Sequence, residues 1–463
     1  MTEKSTPLFL GIDLGTSAVK MLLADKEGVV RKARCSYDAP FPEAYTSAVR
    51  TALSDLLKDE EKARLAAISV SSQVGTYITD ENTVIGWWQS EGEEELSELC
   101  RQYGDEVMLR EISMRHPPLV SYPLPRLSYI KKHYPNTKRI MMPKEYLILA
   151  LTDNFVSDPY SYRGLYNFEK SELSSFFIEK IAQGISLPKI ILSTEMAGRV
   201  TNSASDYFSI PENIPVYCGM NDFFAGLLGM GVFNEGDCFE ISGTSEHVGV
   251  ITSELGESGI AGKYLNGYIQ YGGTKSSGKA CELALRELSA DELSHYARIM
   301  PGTPVFLPYL NGERAPIYDE NARGVFFGID TDTTRATLAY SVLEGVVFSL
   351  YDIALNIGME HGGRLITSAG SSGNVLMARI KAELFEKEIL RATEPDTSAL
   401  GAAMIAMIGS GEFSNYREAV SALVKYETVA TPTGEDAAKY RERFLTYRSI
   451  YRALKDEFKT SKL

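Results

Sequence analysis

The sequence predicts an α/β fold in two similar halves, on three observations. Short apolar strand patterns alternate along the chain with stretches of helical spacing. A strand–turn–strand pattern near the N-terminus, with Gly15-Thr16-Ser17 at its tip, returns half a chain later with Gly243-Thr244-Ser245 at its tip. Small-residue segments, Gly272-Gly273-Thr274 and Ser368 to Asn374, each precede a helical stretch in the second half.

Taken in order, Leu8–Asp13 reads as a buried strand, Leu14–Ser17 as a turn, Ala18–Ala24 as a second strand and Val29–Cys35 as a third, an opening β-meander. Arg64–Val70 is another strand and leads into Ser71-Ser72-Gln73. Helical spacing follows at Glu93–Tyr103, Leu124–His133 and Tyr146–Leu151. The strand Val216–Cys218 ends at Asn221-Asp222, the mouth of a small, apolar helix. Gly231 to Gly236 reads as a connector, so the expected domains are 1–232 and 233–463. The second half repeats the hairpin over Cys238–Ile251 and adds helices at Lys279–Leu288 and Val375–Phe385, the latter after the strand Arg364–Thr367. Tyr440, Phe444, Tyr447, Tyr451 and Leu454 form a helical stripe within Asp436–Phe458, which is core packing rather than a cofactor site.

The composition is that of a folded globular chain: 44% of the 463 residues are hydrophobic and 23% charged. A formal net charge of −14 repels phosphate backbones and anionic lipid, so no nucleic-acid and no membrane partner is expected. The five cysteines are scattered without a CxxC spacing, which indicates neither a disulfide framework nor a zinc or iron–sulfur centre. No apolar run has signal-peptide or membrane-spanning length, and a cytoplasmic location is expected.

Asp13-Leu14-Gly15-Thr16-Ser17 puts a carboxylate at a strand end before a turn whose hydroxyls and N–H groups suit a phosphate and its magnesium ion. By itself this is also an ordinary turn. The second Gly-Thr-Ser tip strengthens the phosphate reading, and no Walker loop competes with it. Gly278, Gly370, Ser371 and Asn374 lie at helix starts, where a nucleotide can be accepted, although such residues more often only cap the helix. Asp222, at the mouth of an apolar helix, is either a cap or a general base for a hydroxyl attacking a γ-phosphoryl group.

In sequence order, Gly11-Ile12-Asp13-Leu14-Gly15-Thr16-Ser17, Pro143-Lys144-Glu145-Tyr146-Leu147, the Asp222 segment, Gly243-Thr244-Ser245, Phe306 to Pro316 with Asn321-Ala322-Arg323-Gly324, and Leu400-Gly401-Ala402-Ala403 resemble the FGGY family of carbohydrate kinases, over nearly the whole chain. The resemblance implies two actin-like (ribonuclease H-like) domains around a central cleft, the fold of the superfamily of sugar kinases, heat-shock ATPases and actin. Sugar would be held mainly by the first domain and ATP by the second. It implies Asp222 as catalytic base and Asp13 as the magnesium-side carboxylate. Thr16, Ser17, Gly243 and Thr244 become phosphate contacts, and Gly278, Gly370, Ser371 and Asn374 nucleotide contacts. ATP and Mg2+ are the implied cofactors, and a homodimer is common in such kinases. The Phe306–Pro316 signature is diagnostic but has no physical role at this level.

The departures fall in the sugar pocket. Val74-Gly75 stands where these kinases carry a polar pair, Trp88-Gln89-Ser90-Glu91-Gly92 where they often carry Trp-x-Asp-x-Arg, and Phe223 follows the base where Asn or Gln is usual. A standard pentulose is therefore not the expected acceptor. Gln73, Trp88, Asn221 and Asp222 remain as contacts for a small sugar, ketose or polyol; Glu246 and His247 are weaker candidates, and His247 reads more simply as a strand histidine. The expected activity is ATP-dependent phosphorylation of a hydroxyl on such a substrate. A non-catalytic sugar or nucleotide sensor of the same fold, and an ATPase without an acceptor, are the alternatives.

Overall fold

The computed structural model describes residues 6–38, 41–115, 119–242, 246–287, 299, 302–368 and 374–460. The chain divides into two compact units: residues 1–231 with 396–424, and residues 232–395 with 425–463. The division at Gly231 falls in the expected connector. The second expected domain is not continuous, because Asp396–Val424 returns to the first unit.

The first unit is built on a six-stranded sheet in which Leu8–Leu14 lies centrally. It pairs antiparallel with Ala18–Asp25, which pairs antiparallel with Gly28–Ser36, and it pairs parallel with Leu65–Ser72. Pro215–Tyr217 then adds parallel to Leu65–Ser72, and Met196–Arg199 closes that edge. Leu8–Leu14 is buried along its whole length, as a strand covered on both faces must be. Gly28–Ser36 alternates in exposure and carries Arg31, Lys32 and Arg34, charges that discourage pairing at an open edge. An insertion between Tyr77 and Ile190 adds a three-stranded sheet and helices around a satellite core of Tyr77, Leu124, Leu127, Tyr162 and Phe177.

The second unit repeats the path. Cys238–Ile241 pairs antiparallel with His247–Thr252 and parallel with Arg364–Thr367, while Gly267–Gly273 and Glu388–Ala392 extend the two sides. Helix Arg335–Asn356 is long and apolar enough to cross a membrane, yet its apolar stretch is buried in the core of this unit, where Ser277–Glu287, Val375–Phe385 and Ala437–Thr460 surround it. The predicted stripe on the last helix is core: Tyr440, Phe444, Tyr447 and Tyr451 are buried, and Leu454 packs against them.

The returning helix Thr397–Ser410 explains its glycine and alanine content. A Cβ at Gly401 would overlap the Ala225 carbonyl, one at Gly229 the Thr397 carbonyl, and one at Gly11 the Ala399 carbonyl. Close backbone approach here needs glycine. The helix is thereby fastened to both the Asp13 strand and the Asp222 helix.

Candidate active site

Asp13 sits at the C-terminal end of the central strand, 7% exposed, with Ser71 Oγ donating to its Oδ1 at 3.1 Å. Burial raises its pKa to about 6, against the pull of the Ser71 hydrogen bond and the positive charge of Lys20. No salt bridge reaches Asp13 among the described residues; Lys20 pairs instead with Asp396, at 3.1 Å. A magnesium ion shared with phosphates takes one or two carboxylates and keeps its other ligands as water and phosphate oxygen, and an uncompensated strand-end carboxylate fits that demand.

After it comes the tip. Gly15 N–H bonds the Ala18 carbonyl at 3.0 Å, and the Tyr37 hydroxyl donates to the Gly15 carbonyl. Thr16 and Ser17 are exposed at the turn, where ligand contact is open to them. Trp87 Nε1 donates to Thr16 Oγ1 at 3.1 Å, a contact the sequence did not suggest.

Asp222 opens helix Asp222–Gly229 and remains partly exposed. The cap is Asn221: its Oδ1 accepts from Phe224 N at 3.0 Å, which leaves the neighbouring carboxylate free of that task. Burial first, and the Asp13 charge second, raise the Asp222 pKa to about 7; hydrogen bonds from backbone N–H groups, including those of Phe223 and Val74, pull it down. A carboxylate whose pKa lies near neutral suits proton abstraction from an alcohol.

A buried network sets this position. Lys144 and Asp158, both fully buried, form an ion pair at 2.5 Å. Burial alone would strip the Lys144 proton, but the Asp158 carboxylate holds it and raises its pKa. Lys144 Nζ also reaches the Cys218 carbonyl at 3.4 Å. Asp158 Oδ2 accepts from Tyr160 N at 2.8 Å, and the Tyr160 carbonyl accepts from Asn221 Nδ2 at 2.9 Å. Gly219, at φ +73°, lies so close to the Val70 carbonyl that a Cβ would overlap it. The Pro143 to Leu147 motif thus supports the segment that carries Asn221 and Asp222.

The sugar-side expectations are met unevenly. Gln73 is buried beside the Asp13 strand; its Nε2 donates to Tyr45 Oη at 3.1 Å, while Oε1 has no hydrogen-bond partner. Trp88 is 48% exposed on the loop that Arg126 fastens through the Gly86 and Gln89 carbonyls. Asn221 has both side-chain polar atoms bonded within the protein, so its role here is capping and tethering.

In the second unit, Gly243, Thr244, Ser245, Gly370 and Ser371 lie outside the described residues. Gly278 stands in the first turn of helix Ser277–Glu287. Asn374 caps Val375–Phe385, accepting from Leu376 N and Met377 N. His247 is a partly buried strand residue whose pKa is lowered to about 4 by desolvation and then by Arg314. Glu313 gives the signature loop a physical role. Its Oε1 accepts from Lys275 N at 2.6 Å and Arg314 N at 2.8 Å, and its Oε2 from Ser349 Oγ at 3.3 Å. The carboxylate therefore ties that loop to the entry of helix Ser277–Glu287.

Models of the N- and C-terminal domains of the FGGY family of carbohydrate kinases match residues 8–229 and 240–410. The chain belongs to this family. Xylulose kinase from Staphylococcus xylosus is 28% identical over 96% of this chain and 99% of the relative. Gluconokinase from Bacillus subtilis is 26% identical over 98% and 97%. The crystal structure of a ligand-bound xylulose kinase from Lactobacillus acidophilus superposes with a TM-score of 0.85 at 22% identity, covering 98% of this chain and 99% of that one, and shares the fold. As an FGGY kinase, this protein is a phosphotransferase with an alcohol group as acceptor, and it has the fold of the sugar kinases of known structure. Kinases of this family use ATP.

Proposed function

We propose that the chain transfers the γ-phosphoryl group of ATP to a hydroxyl of a small sugar or polyol, with Asp222 as general base. The acceptor proton passes to an Asp222 carboxylate oxygen as the acceptor oxygen forms its bond to phosphorus, and the bond from phosphorus to the bridging oxygen breaks to release ADP. One observation carries this reading: Asp13, at the end of its strand, and Asp222, at the start of its helix, lie close enough for the Asp13 charge to help burial raise the Asp222 pKa to about 7, and no salt bridge reaches either among the described residues.

Asp13 would hold Mg2+, which supplies charge neutralisation on the phosphates. Thr16 and Ser17 would contact those phosphates, together with Gly243 and Thr244. Gly278, Gly370, Ser371 and Asn374 would line the nucleotide, Asn374 through its backbone because its side-chain oxygen caps a helix. Gln73 Oε1, buried and unpartnered, is the strongest acceptor-side hydrogen-bonding group. The relatives' names make xylulose and gluconate the first acceptors to try.

A screen of acceptor-dependent ADP release over ketoses, aldoses, polyols and sugar acids tests the reading. One acceptor class should drive stoichiometric ADP formation and itself gain a phosphate; ATP hydrolysis indifferent to every acceptor would contradict the proposal.

A further inference from the structure

Arg163 is a buried cation without a counter-charge among the described residues. Its side chain belongs to a residue that is 5% exposed, and its Nε and Nη2 are sealed from solvent with no hydrogen-bond acceptor. No ion pair reaches it among the described residues, and its guanidinium lies over the Phe224 ring at 5.7 Å. A cation–π contact recovers only part of the cost of burying such a charge.

The other buried guanidinium of this region differs. Arg126 likewise has Nε and Nη1 without hydrogen-bond partners, but it gives Nη2 to the Gly86 and Gln89 carbonyls at 2.9 and 2.7 Å and has Glu91 at 4.0 Å, so it is partly answered and serves the Trp88 loop. Among the described residues the Arg163 side chain makes no hydrogen bond and no ion pair, only the contact with the Phe224 ring. Its place is nevertheless fixed relative to the base. Its backbone N–H and Asn221 Nδ2 share the Tyr160 carbonyl, at 3.4 and 2.9 Å. The Tyr160 ring packs on Phe224 at 5.1 Å, and Phe224 lies two residues beyond Asp222.

We infer that the acceptor carries a carboxylate and that Arg163 receives it, making the substrate a sugar acid; the inference rests on the reading of Asp222 as the base. A planar guanidinium matches a carboxylate through two parallel N–H donors, and a neutral ketose would leave the charge unanswered. An acid with a hydroxyl at its far end would be held by its charged end and presented by the other.

The test uses the full-length protein with D-gluconate, a set of other sugar acids, a sugar phosphate and D-xylulose, in the wild type, Arg163→Met and Arg163→Lys. Thermal melting reports binding, and ADP release reports transfer. At least one sugar acid should raise the melting temperature of the wild type but not of Arg163→Met. Its kcat/KM should fall by about 10²–10⁴-fold in Arg163→Met, chiefly through KM, with part recovered in Arg163→Lys. Without ligand, Arg163→Met should melt no lower than the wild type, because an unpaired buried charge has been removed. A lower melting temperature would make Arg163 structural and overturn the inference. So would preference for D-xylulose or the sugar phosphate, or failure of every acid to bind. Transfer to D-xylulose unaffected at Arg163 would sink the sugar-acid assignment and leave the kinase reading standing. Arg163-dependent acid binding without transfer would do the reverse.

Discussion

The two sheets follow one path but treat their buried carboxylates differently. Just before the first Gly-Thr-Ser tip stands Asp13, with a serine hydroxyl and no ion pair among the described residues. Just before the second stands Glu240, in an ion pair with Lys381; both are 1% exposed. Burial opposes the charge on Lys381, and the Glu240 carboxylate overcomes it, raising the Lys381 pKa. A paired buried charge is part of the scaffold, whereas no salt bridge reaches Asp13 or Asp222 among the described residues, as the proposed ligand-binding role requires. Each sheet thus carries a buried carboxylate near the end of its hairpin's first strand, and of these two only Glu240 is in an ion pair among the described residues.

The contrast can be broken in several ways. Asp13→Asn should lower turnover by about 10²–10⁴-fold, in the range of a lost catalytic charge, without lowering the melting temperature. Lys381→Met, which strands Glu240, should lower stability by about 3–5 kcal/mol in urea titration, and Glu240→Gln in the same chain should restore most of it. His247 adds a pH test of the second unit. Its native pKa of about 4 lies below the ordinary 6.5, so between those values the unfolded chain binds the proton that the native chain refuses. Stability should therefore fall on acidification through that window, by at most about 1.4 kcal/mol per pH unit, and His247→Gln should flatten the slope. Gly401→Ala should cost about 1–3 kcal/mol, read by thermal melting, because the added methyl meets the Ala225 carbonyl of the Asp222 helix.

Much of this was legible in the sequence because it depends on local patterning. The strand Arg364–Thr367 and the helix Val375–Phe385 fall where periodicity placed them, and the repeated tip pointed to a repeated topology. Asp222 stands out in the sequence as a carboxylate at an apolar helix mouth, but the sequence does not say which of Asn221 and Asp222 caps the helix; the hydrogen bond from Phe224 N to Asn221 Oδ1 gives the cap to Asn221. What stayed hidden depends on contacts between distant segments. The return of Asp396–Val424 to the first unit, the Lys144 to Asn221 relay, the Glu313 tie and the isolation of Arg163 leave no local pattern. Trp88 holds the motif position, whereas the contact with Thr16 comes from its neighbour Trp87.

The most direct test of the central claim is the pairing of activity with stability at Asp222. Asp222→Asn keeps the size and hydrogen-bonding shape of the side chain and removes only its basicity. Single-turnover phosphorylation of the best acceptor should fall by at least about 10²-fold with acceptor affinity and melting temperature retained. A variant that keeps more than about a tenth of wild-type turnover would show that the proton leaves by another route, and Asp222 would not be the base.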